Sequence, residues 1–178
     1  MSTLYVNNLS TASGSTITIP SGKTLQSTDT PFIGTGNVIQ VVNGVTSTAV
    51  TFNAGGTYGD TGLEVTFTPK DHTNTFYIWF HCPNLKKTTG AGTGSWWASR
   101  VMINGTQMNP DIQSGALGYP ETNSDQRYIL SGHGATSTGF VAGSNTVKLQ
   151  GSAQSSNSSW VFSFQGQLST MTVMEIAS

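Results

Sequence analysis

The sequence predicts an all-β protein, a β-sandwich or jelly roll that carries an extended N-terminal β arm. Short runs rich in Val, Ile, Thr and aromatic residues recur about every 8 to 15 residues and are separated by Gly-rich turns. No segment combines a helical hydrophobic period with helix caps. About eight or nine such runs are present, which is the number that a sandwich of two packed sheets needs.

The low content of charged residues limits the possible partners. Only 8% of the 178 residues are charged, against about 25% in an average soluble protein, and the formal net charge is -1. A nucleic-acid-binding surface or a membrane-binding segment needs clustered Lys and Arg, which this sequence lacks. No apolar run reaches the roughly 18 residues of a membrane span, and the N-terminus lacks the features of a signal peptide. We therefore expect a protein made in the cytoplasm, with no nucleic-acid partner and no membrane insertion.

The residue types that usually hold metals and cofactors are few and scattered. Cys82 is the only cysteine in the sequence, which excludes an intramolecular disulfide and a CxxC metal site. The histidines, His72, His81 and His133, do not have HxxxH or HxH spacing. The Gly-rich segment 53–62 is not followed by the Lys-Ser or Lys-Thr pair of a phosphate-binding loop. We expect no metal and no cofactor.

Residues 1–35 differ in character from the rest of the chain and predict a separate arm. They include the segments LYVNNL and STITIPSGKTL and almost no large aromatic residues. A β-branched run leads into Pro20, which cannot donate to a β ladder, and Ser21-Gly22 favours a turn. Because isolated short strands are marginally stable, this arm must add to the following domain, to copies of itself or to another protein. We therefore divide the chain into an attachment or shaft arm, residues 1–35, and a jelly-roll head, residues 36–178.

Strands and turns of the head follow from alternation and turn residues. Leu63 to Phe67 alternates apolar and polar side chains, and Thr75 to Cys82 is a nearly continuous apolar run, so the two together predict a hairpin. The pairs Asn43-Gly44 and Asn104-Gly105 predict turns. Further strands are predicted at Val38–Val42, Thr48–Phe52, Ser95–Ile103, Arg127–Ser131, Ser137–Val141, Asn145–Gly151 and Trp160–Gln165.

The C-terminal segment Leu168–Ile176 predicts a central strand. Three of its alternate residues, Met171, Val173 and Glu175, point to one face, and the residues between them point to the other. Both faces are largely apolar or β-branched, apart from Glu175. An exposed apolar edge strand invites aggregation, so we expect the rest of the protein or a neighbouring subunit to cover this strand.

Catalysis is weakly supported by the residues. A glycosidase needs two carboxylates at one site, and only Asp111, Glu121 and Asp125 share a long irregular segment. Acidic residues in such segments more commonly cap turns. There is no GxSxG motif for a serine nucleophile. We expect no enzymatic activity and no catalytic residue, and a glycan-degrading enzyme that uses two of these three carboxylates is the alternative.

A pair of tryptophans is the best candidate for a glycan-binding surface. Trp96 and Trp97 are neighbours on a predicted strand, so one faces the core and the other faces solvent or a subunit. An exposed indole near Tyr119 could stack on the face of a sugar. Trp96, Trp97 and Tyr119 are therefore the candidate receptor-binding or glycan-binding residues, with burial at a domain or subunit contact as the alternative.

Four stretches of the chain resemble proteins of a known group. They are STITIPSGKTL (Ser15–Leu25), GNVIQVV (Gly36–Val42), LEVTFTPKDHTNTFYIW (Leu63–Trp79) and STMTVMEI (Ser169–Ile176). These stretches are similar to tail-fibre and appendage proteins of marine bacteriophages, particularly cyanophages. None of them is a catalytic signature.

The resemblance implies a virion surface protein. It implies an N-terminal arm that attaches to other virion proteins and a C-terminal jelly-roll head similar to tumour-necrosis-factor or C1q heads, assembled as a homotrimer. In such heads the last strand lies in the sheet nearest the threefold axis, so Met171, Val173 and Glu175 become candidate trimer-interface residues. A host-surface glycan is the candidate receptor.

The short length leaves alternative roles open. A long tail-fibre shaft does not fit into 178 residues, so a head fibre, a capsid decoration protein or a short fibre tip is an equally suitable role. A soluble carbohydrate-binding module without a virion role is a further alternative.

Overall fold

The computed structural model describes residues 35–53, 55–88, 95–108, 114–118, 126–154 and 159–178, with only the backbone course for 114–118. The predicted all-β class is confirmed, because the described residues form strands and a single 3₁₀ turn, Phe164–Gly166, without an α-helix. The strands are β1 Val38–Thr46, β2 Val50–Phe52, β3 Gly59–Phe67, β4 Thr75–Lys87, β5 Ser95–Ile103, β6 Thr106–Gln107, β7 Ser114–Gly118, β8 Gln126–Thr136, β9 Asn145–Ala153, β10 Trp160–Phe162 and β11 Ser169–Ile176.

The strands form two antiparallel sheets. The first sheet has the order β1-β11-β4-β8, and the short strands β10 and β2 extend it beyond the end of β11. The second sheet has the order β3-β9-β5-β7, with β6 also paired to β5. Successive long strands pass repeatedly from one sheet to the other, which is the arrangement of a jelly roll. The predicted sandwich of the jelly-roll type is therefore confirmed.

The hydrophobic core lies between the two sheets. On β4, Phe76, Ile78 and Phe80 are fully buried, whereas the intervening Trp79 points outward and is 48% exposed. The ring of Phe140 stacks on Phe76 at 3.8 Å between ring centroids. This alternation is what the continuous run on β4 predicted, because side chains of a strand point alternately to the two sides of the sheet.

The predicted hairpin between the third and fourth strands is wrong. β3 pairs with β9 in the second sheet, whereas β4 pairs with β11 and β8 in the first sheet. The segment 68–74 carries the chain across the end of the sandwich from one sheet to the other. β3 and β4 each have one apolar face. When the two strands lie in opposite sheets, both apolar faces are buried against each other across the core. Pairing the strands side by side in one sheet would not bury them in this way.

Two further predictions, which treat glycine as the end of a strand, are wrong. Asn43-Gly44 lies inside β1 rather than at a turn, and Gly44 is required there because a Cβ atom would overlap the carbonyl of Glu64 on β3. β8 is one strand through Gly132 and Gly134, which lie opposite Phe80 and Ile78. The expected separate strand at Ser137–Val141 is wrong, since these residues form bends.

The predicted turn at Asn104-Gly105 is confirmed. β5 ends at Ile103, as predicted, and returns through this turn to β6. Asn104 and Gly105 have φ angles of 51° and 84°, which a two-residue hairpin turn with left-handed central residues requires.

Candidate functional site

The three residues expected at a subunit interface lie inside the chain instead. β11 is a central strand between β1 and β4, as predicted. Met171 and Val173 belong to the hydrophobic core and are at most 1% exposed, and Glu175 is equally buried. Assigning Met171, Val173 and Glu175 to the trimer interface is wrong, because side chains that their own chain covers cannot contact a neighbouring subunit.

Glu175 has a structural partner set at the end of the sandwich. Its carboxylate accepts hydrogen bonds from the backbone N–H groups of Lys70 and Asp71 at 2.8 and 2.7 Å. The side-chain amide of Asn74 donates a third hydrogen bond at 2.8 Å. These donors satisfy the buried charge and fix the segment 68–74 against β11.

The opposite side of β11 contributes to a surface that we call the outer first face. It consists of three rows of side chains that cross β1, β11, β4 and β8 on the solvent side of the first sheet. The strand registers give the rows Val41–Met174–Tyr77–Ala135, Asn43–Thr172–Trp79–His133 and Val45–Thr170–His81–Ser131.

The outer first face has no acidic residue, lysine or arginine, and half of its twelve residues are Val, Ala, Met, Trp or Tyr. The other half are Asn, Ser, Thr and His. Val41, Val45 and Trp79 are 52%, 59% and 48% exposed. Strands about 4.8 Å apart and rows about 6.7 Å apart give this grid an area of roughly 400 Å², of which the apolar side chains form one part. The exposed tryptophan and valines make this face the candidate contact surface.

The outer face of the second sheet, which we call the outer second face, is polar and connected by hydrogen bonds. Lys148 pairs with Asp60 at 2.7 Å, and the amide of Gln150 donates to the same carboxylate at 2.7 Å. The Arg100 Nε donates to Gln150 at 2.9 Å, and its guanidinium lies over the ring of Tyr58 at 4.2 Å. The ion pair and these hydrogen bonds join Asp60, Lys148, Gln150 and Arg100 into one network on the solvent side of the sheet.

The pairing on the outer second face changes the ionisation of its two charged partners. The hydrogen bond from Lys148, followed by that from Gln150, holds the pKa of Asp60 below its ordinary value. The hydrogen bond to Asp60 raises the pKa of Lys148 in turn. Both groups are therefore charged across the neutral pH range.

The two candidate tryptophans have the expected opposite orientations. Trp97 is fully buried and contacts the ring of Phe52 edge-on at 4.9 Å, so its assignment to a glycan-binding surface is wrong. Trp96 is 44% exposed on the outer second face, and the backbone N–H of Gln154 donates to its carbonyl at 2.9 Å. Tyr119 lies outside the described residues, so its proximity to Trp96 stays a prediction.

The other candidate catalytic or metal-binding residues either lie outside the described residues or have a structural role. Asp111, Glu121 and Asp125 all lie outside the described ranges. Cys82 is a buried free thiol in the core. Within the ranges that the structure describes, no group of three or more His, Cys, Asp or Glu side chains could hold a metal ion. No helix in the described part of the chain has the length and apolar character needed to cross a membrane.

The sequence reasoning did not identify the outer first face or a polar cleft at its rim. Alternation on β4 places Trp79 on the face opposite Phe76, Ile78 and Phe80, but the nearly continuous apolar run predicted a buried strand and not an exposed face. The residues that surround Trp79 come from three other strands. Asn84, Arg127 and Gln165 line the cleft, and their separation along the chain gives no local signal. The one signal was Pro83, because proline in a strand commonly marks an edge or a bulge.

Comparisons with known proteins assign the chain to no family. No family model matches it, and no curated protein matches it. Among solved structures, it is similar to Eiger TNF from S. frugiperda, with 9% identity, a TM-score of 0.42, and coverage of 78% of this chain and 94% of that one. The infectious bursal disease virus (IBDV) T13 particle protein shows 10% identity, a TM-score of 0.39, and coverage of 80% and 36% respectively. The protein of the Gx strain of the same virus shows 10% identity, a TM-score of 0.37, and coverage of 79% and 37%. The fold assignment therefore depends on the strand order described above.

Proposed function

We propose that the chain is a structural protein of a bacteriophage particle, a homotrimeric surface fibre or appendage of the tail-fibre or receptor-binding-tip type, without catalytic activity. The observation that carries the proposal is the outer first face, which is uncharged, contains the half-exposed Trp79 and is built on the central strand β11. Residues 1–35 serve as the arm that joins the head to other virion proteins, and the virion is its location.

Self-association is the arrangement that suits the outer first face best. Its twelve residues offer no side chain of fixed charge for recognising a charged partner, so apolar area and shape must supply the affinity. A second copy of the chain presents the same uncharged surface at the same concentration. The resemblance to trimeric heads, in which the sheet of the last strand is nearest the threefold axis, favours a trimer of this face over other assemblies.

The mass of the purified full chain tests the trimer. Three chains of 18.7 kDa give about 56 kDa. Multi-angle light scattering at micromolar concentration, supported by native mass spectrometry, should return this mass. A mass of 18.7 kDa, or of about 37 kDa for a dimer of two such chains, would contradict the proposal.

The role of residues 1–35 is tested separately on particles. A chain without this arm should still form a trimer, with a correspondingly smaller mass. It should no longer join particles that lack the full-length protein, because the segment Ser15–Ile19 provides the backbone groups for pairing with another protein. If the truncated head still decorated such particles, attachment would belong to the head. The position of the chain in a particle reconstruction then separates a tail appendage from a head fibre or capsid decoration protein.

A carbohydrate-binding module is the second candidate function, and the exposure of Trp96 favours it. An indole that is 44% exposed beside the amide-rich edge at Gln154 can stack on a sugar ring. A glycan array should then show binding that Trp96→Ala removes. If the Trp96→Ala protein keeps all glycan binding, Trp96 is not the sugar platform.

A further inference from the structure

A cleft opens where the first sheet is interrupted, at the rim of the outer first face. Its volume is about 320 Å³, within the range of small-molecule sites. The floor is the bulged part of β4, one wall is the start of β8, and the other wall is the turn that joins β10 to β11. Its lining residues are Pro83, Asn84, Arg127, Tyr128, Ile129, Gln165 and Gln167.

Two irregularities of the backbone form this cleft. The pairing of β4 with β8 shifts register between Cys82 and Leu85, around Pro83. On the other side, Ser163 and Gln165 have φ angles of 50° and 62°, in the left-handed region that non-glycine residues seldom occupy. Backbone strain of this kind concentrates at binding sites. The cleft is therefore built at some cost to stability.

Asn84 fixes the floor of the cleft. It is only 7% exposed, and its Nδ2 donates to the carbonyl of Phe164 at 3.0 Å, which fixes the orientation of the amide. Its Oδ1 is enclosed by protein atoms and has no hydrogen-bond partner among the described residues. The side chain therefore joins the bulged part of β4 to the turn after β10, and the groups that can reach a ligand come from the walls.

Arg127 supplies positive charge on the wall of the cleft. Its Nη1 donates to the Gln165 side chain at 3.0 Å, and its guanidinium lies 5.2 Å from the centre of the Phe164 ring. These two contacts hold the planar guanidinium at the cleft, where it can bind a carboxylate through two parallel hydrogen bonds. Among the residues that the structure describes, no Asp or Glu lines the cleft to neutralise it. The glutamine amides Gln165 and Gln167 add groups that can both donate and accept.

We propose that this cleft binds a sugar unit that carries a carboxylate, of the uronic-acid class. Arg127 binds the carboxylate, the side-chain amides of Gln165 and Gln167 form hydrogen bonds with ring hydroxyls, and Ile129 and Pro83 contact the C–H face of the sugar. The proposal goes beyond a structural role and does not depend on trimer formation, because all lining residues belong to one chain. The site is also separate from Trp96, which lies on the other sheet.

The test is an NMR titration of the full chain with methyl uronides and with the matched methyl hexosides, which lack only the carboxylate. At least one uronide should bind about tenfold more tightly than its hexoside, and Arg127→Gln should abolish this preference. Gln167→Ala should weaken the uronide and the hexoside alike. Arg100→Gln is the matched control, because Arg100 also lies over an aromatic ring but on the outer second face. Trp96→Ala controls for the other candidate sugar platform.

The outcomes separate the parts of the proposal. Equal binding of uronides and hexosides would overturn the carboxylate preference, and binding of sodium acetate as tight as that of the uronide would overturn the sugar. Loss of binding in Arg100→Gln or Trp96→Ala, with Arg127→Gln unaffected, would overturn the location. No binding of any probe would overturn the site itself. The mass of the same sample reports independently on the trimer.

Discussion

The outer first face and the outer second face cover the same hydrophobic core but present different chemistry to water. On the outer second face, Asp60, Lys148, Gln150 and Arg100 form a connected set of hydrogen bonds between 2.7 and 2.9 Å. On the outer first face, Thr172 donates a hydrogen bond to Asn43 at 2.7 Å, and the ring of His133 stacks on that of Tyr77 at 5.9 Å between ring centroids. This face carries no Asp, Glu, Lys or Arg.

The difference favours the outer first face as the proposed surface for contact with protein. Removing the outer second face from water would require desolvation of an ion pair and an arginine, at a cost that an interface seldom recovers in full. Removing the outer first face from water costs little and gains the burial of Trp79 and two exposed valines. The outer second face is therefore suited to contact with water, and the outer first face is suited to the proposed assembly.

The largest expected effect comes from charging the buried side of β11. Val173→Asp places an unpaired carboxylate in the core and should reduce the free energy of unfolding by about 3–5 kcal/mol, enough to abolish stable folding. Thermal denaturation followed by circular dichroism measures this. Thr66→Asp, on the exposed side of β3 and away from the proposed interface, is the control and should change the melting temperature far less. Equal losses in both variants would show that position 173 is not a buried environment.

The two exposed tryptophans test the comparison directly. Trp79 and Trp96 are 48% and 44% exposed on opposite faces. Trp79→Glu should weaken self-association by about 100-fold or more, since it places like charges in the proposed interface, where each factor of ten corresponds to about 1.4 kcal/mol. Light scattering across a dilution series measures this, with Trp96→Glu as the matched control that keeps the trimer. Dissociation by Trp96→Glu alone would move the interface to the second sheet.

A smaller effect is expected at Glu175. Glu175→Gln replaces a charged acceptor of two backbone N–H groups by an amide, and should lower the free energy of unfolding by about 2 kcal/mol. For a protein of this size the melting temperature should fall by about 4–8 °C. Glu64→Gln on the exposed side of β3 is the control, with a change close to zero. An unaltered melting temperature in Glu175→Gln would mean that the carboxylate does not hold the segment 68–74.

The smallest effect is expected at the ion pair of the outer second face. The pKa of Asp60 is lowered in the folded chain, so its contribution to stability is present above the unfolded pKa of about 4 and is lost as the pH falls through the folded value. Because the Asp60 side chain is about half exposed, solvent screening limits the contribution to at most about 1 kcal/mol. Urea denaturation of the wild type and Asp60→Asn at neutral pH and near pH 2 should show a difference only at neutral pH. A difference that persists in acid would belong to another cause.

Much of the secondary structure could be predicted from local patterns. The run in β4 and the strand Ser95–Ile103 were predicted correctly, because alternation and an Asn-Gly turn are local signals. The partners of the strands could not be predicted in the same way. β3 and β4 are neighbours in sequence, yet they lie in different sheets, because both have an apolar face and burying the two against each other across the core is more favourable than pairing them.

The candidate binding surfaces show the same contrast. Local patterns could be predicted from the sequence, whereas contacts between distant elements could not. The pair Trp96 and Trp97 predicted one buried and one exposed indole, since neighbours on a strand point to opposite faces. The cleft could not be predicted, since Asn84, Arg127 and Gln165 come from three elements that meet only after the sandwich has formed. Asn84 lies beneath the turn that follows β10 only because the pairing of β4 with β8 shifts register next to Pro83.

The C-terminal strand shows most clearly what the sequence determined and what the tertiary structure decided. By itself the sequence determined that Leu168–Ile176 is a strand with two apolar faces that must be covered. It could not determine which face is the core, because a pattern with apolar or β-branched residues at every position but Ser169 and Glu175 is nearly symmetric, and its one charge suggested the wrong side. The fold resolved this by supplying backbone N–H groups from the segment 68–74 to Glu175, which makes burial of that carboxylate favourable. Met171 and Val173 are buried with it, and Thr172 and Met174 are left on the surface for a partner.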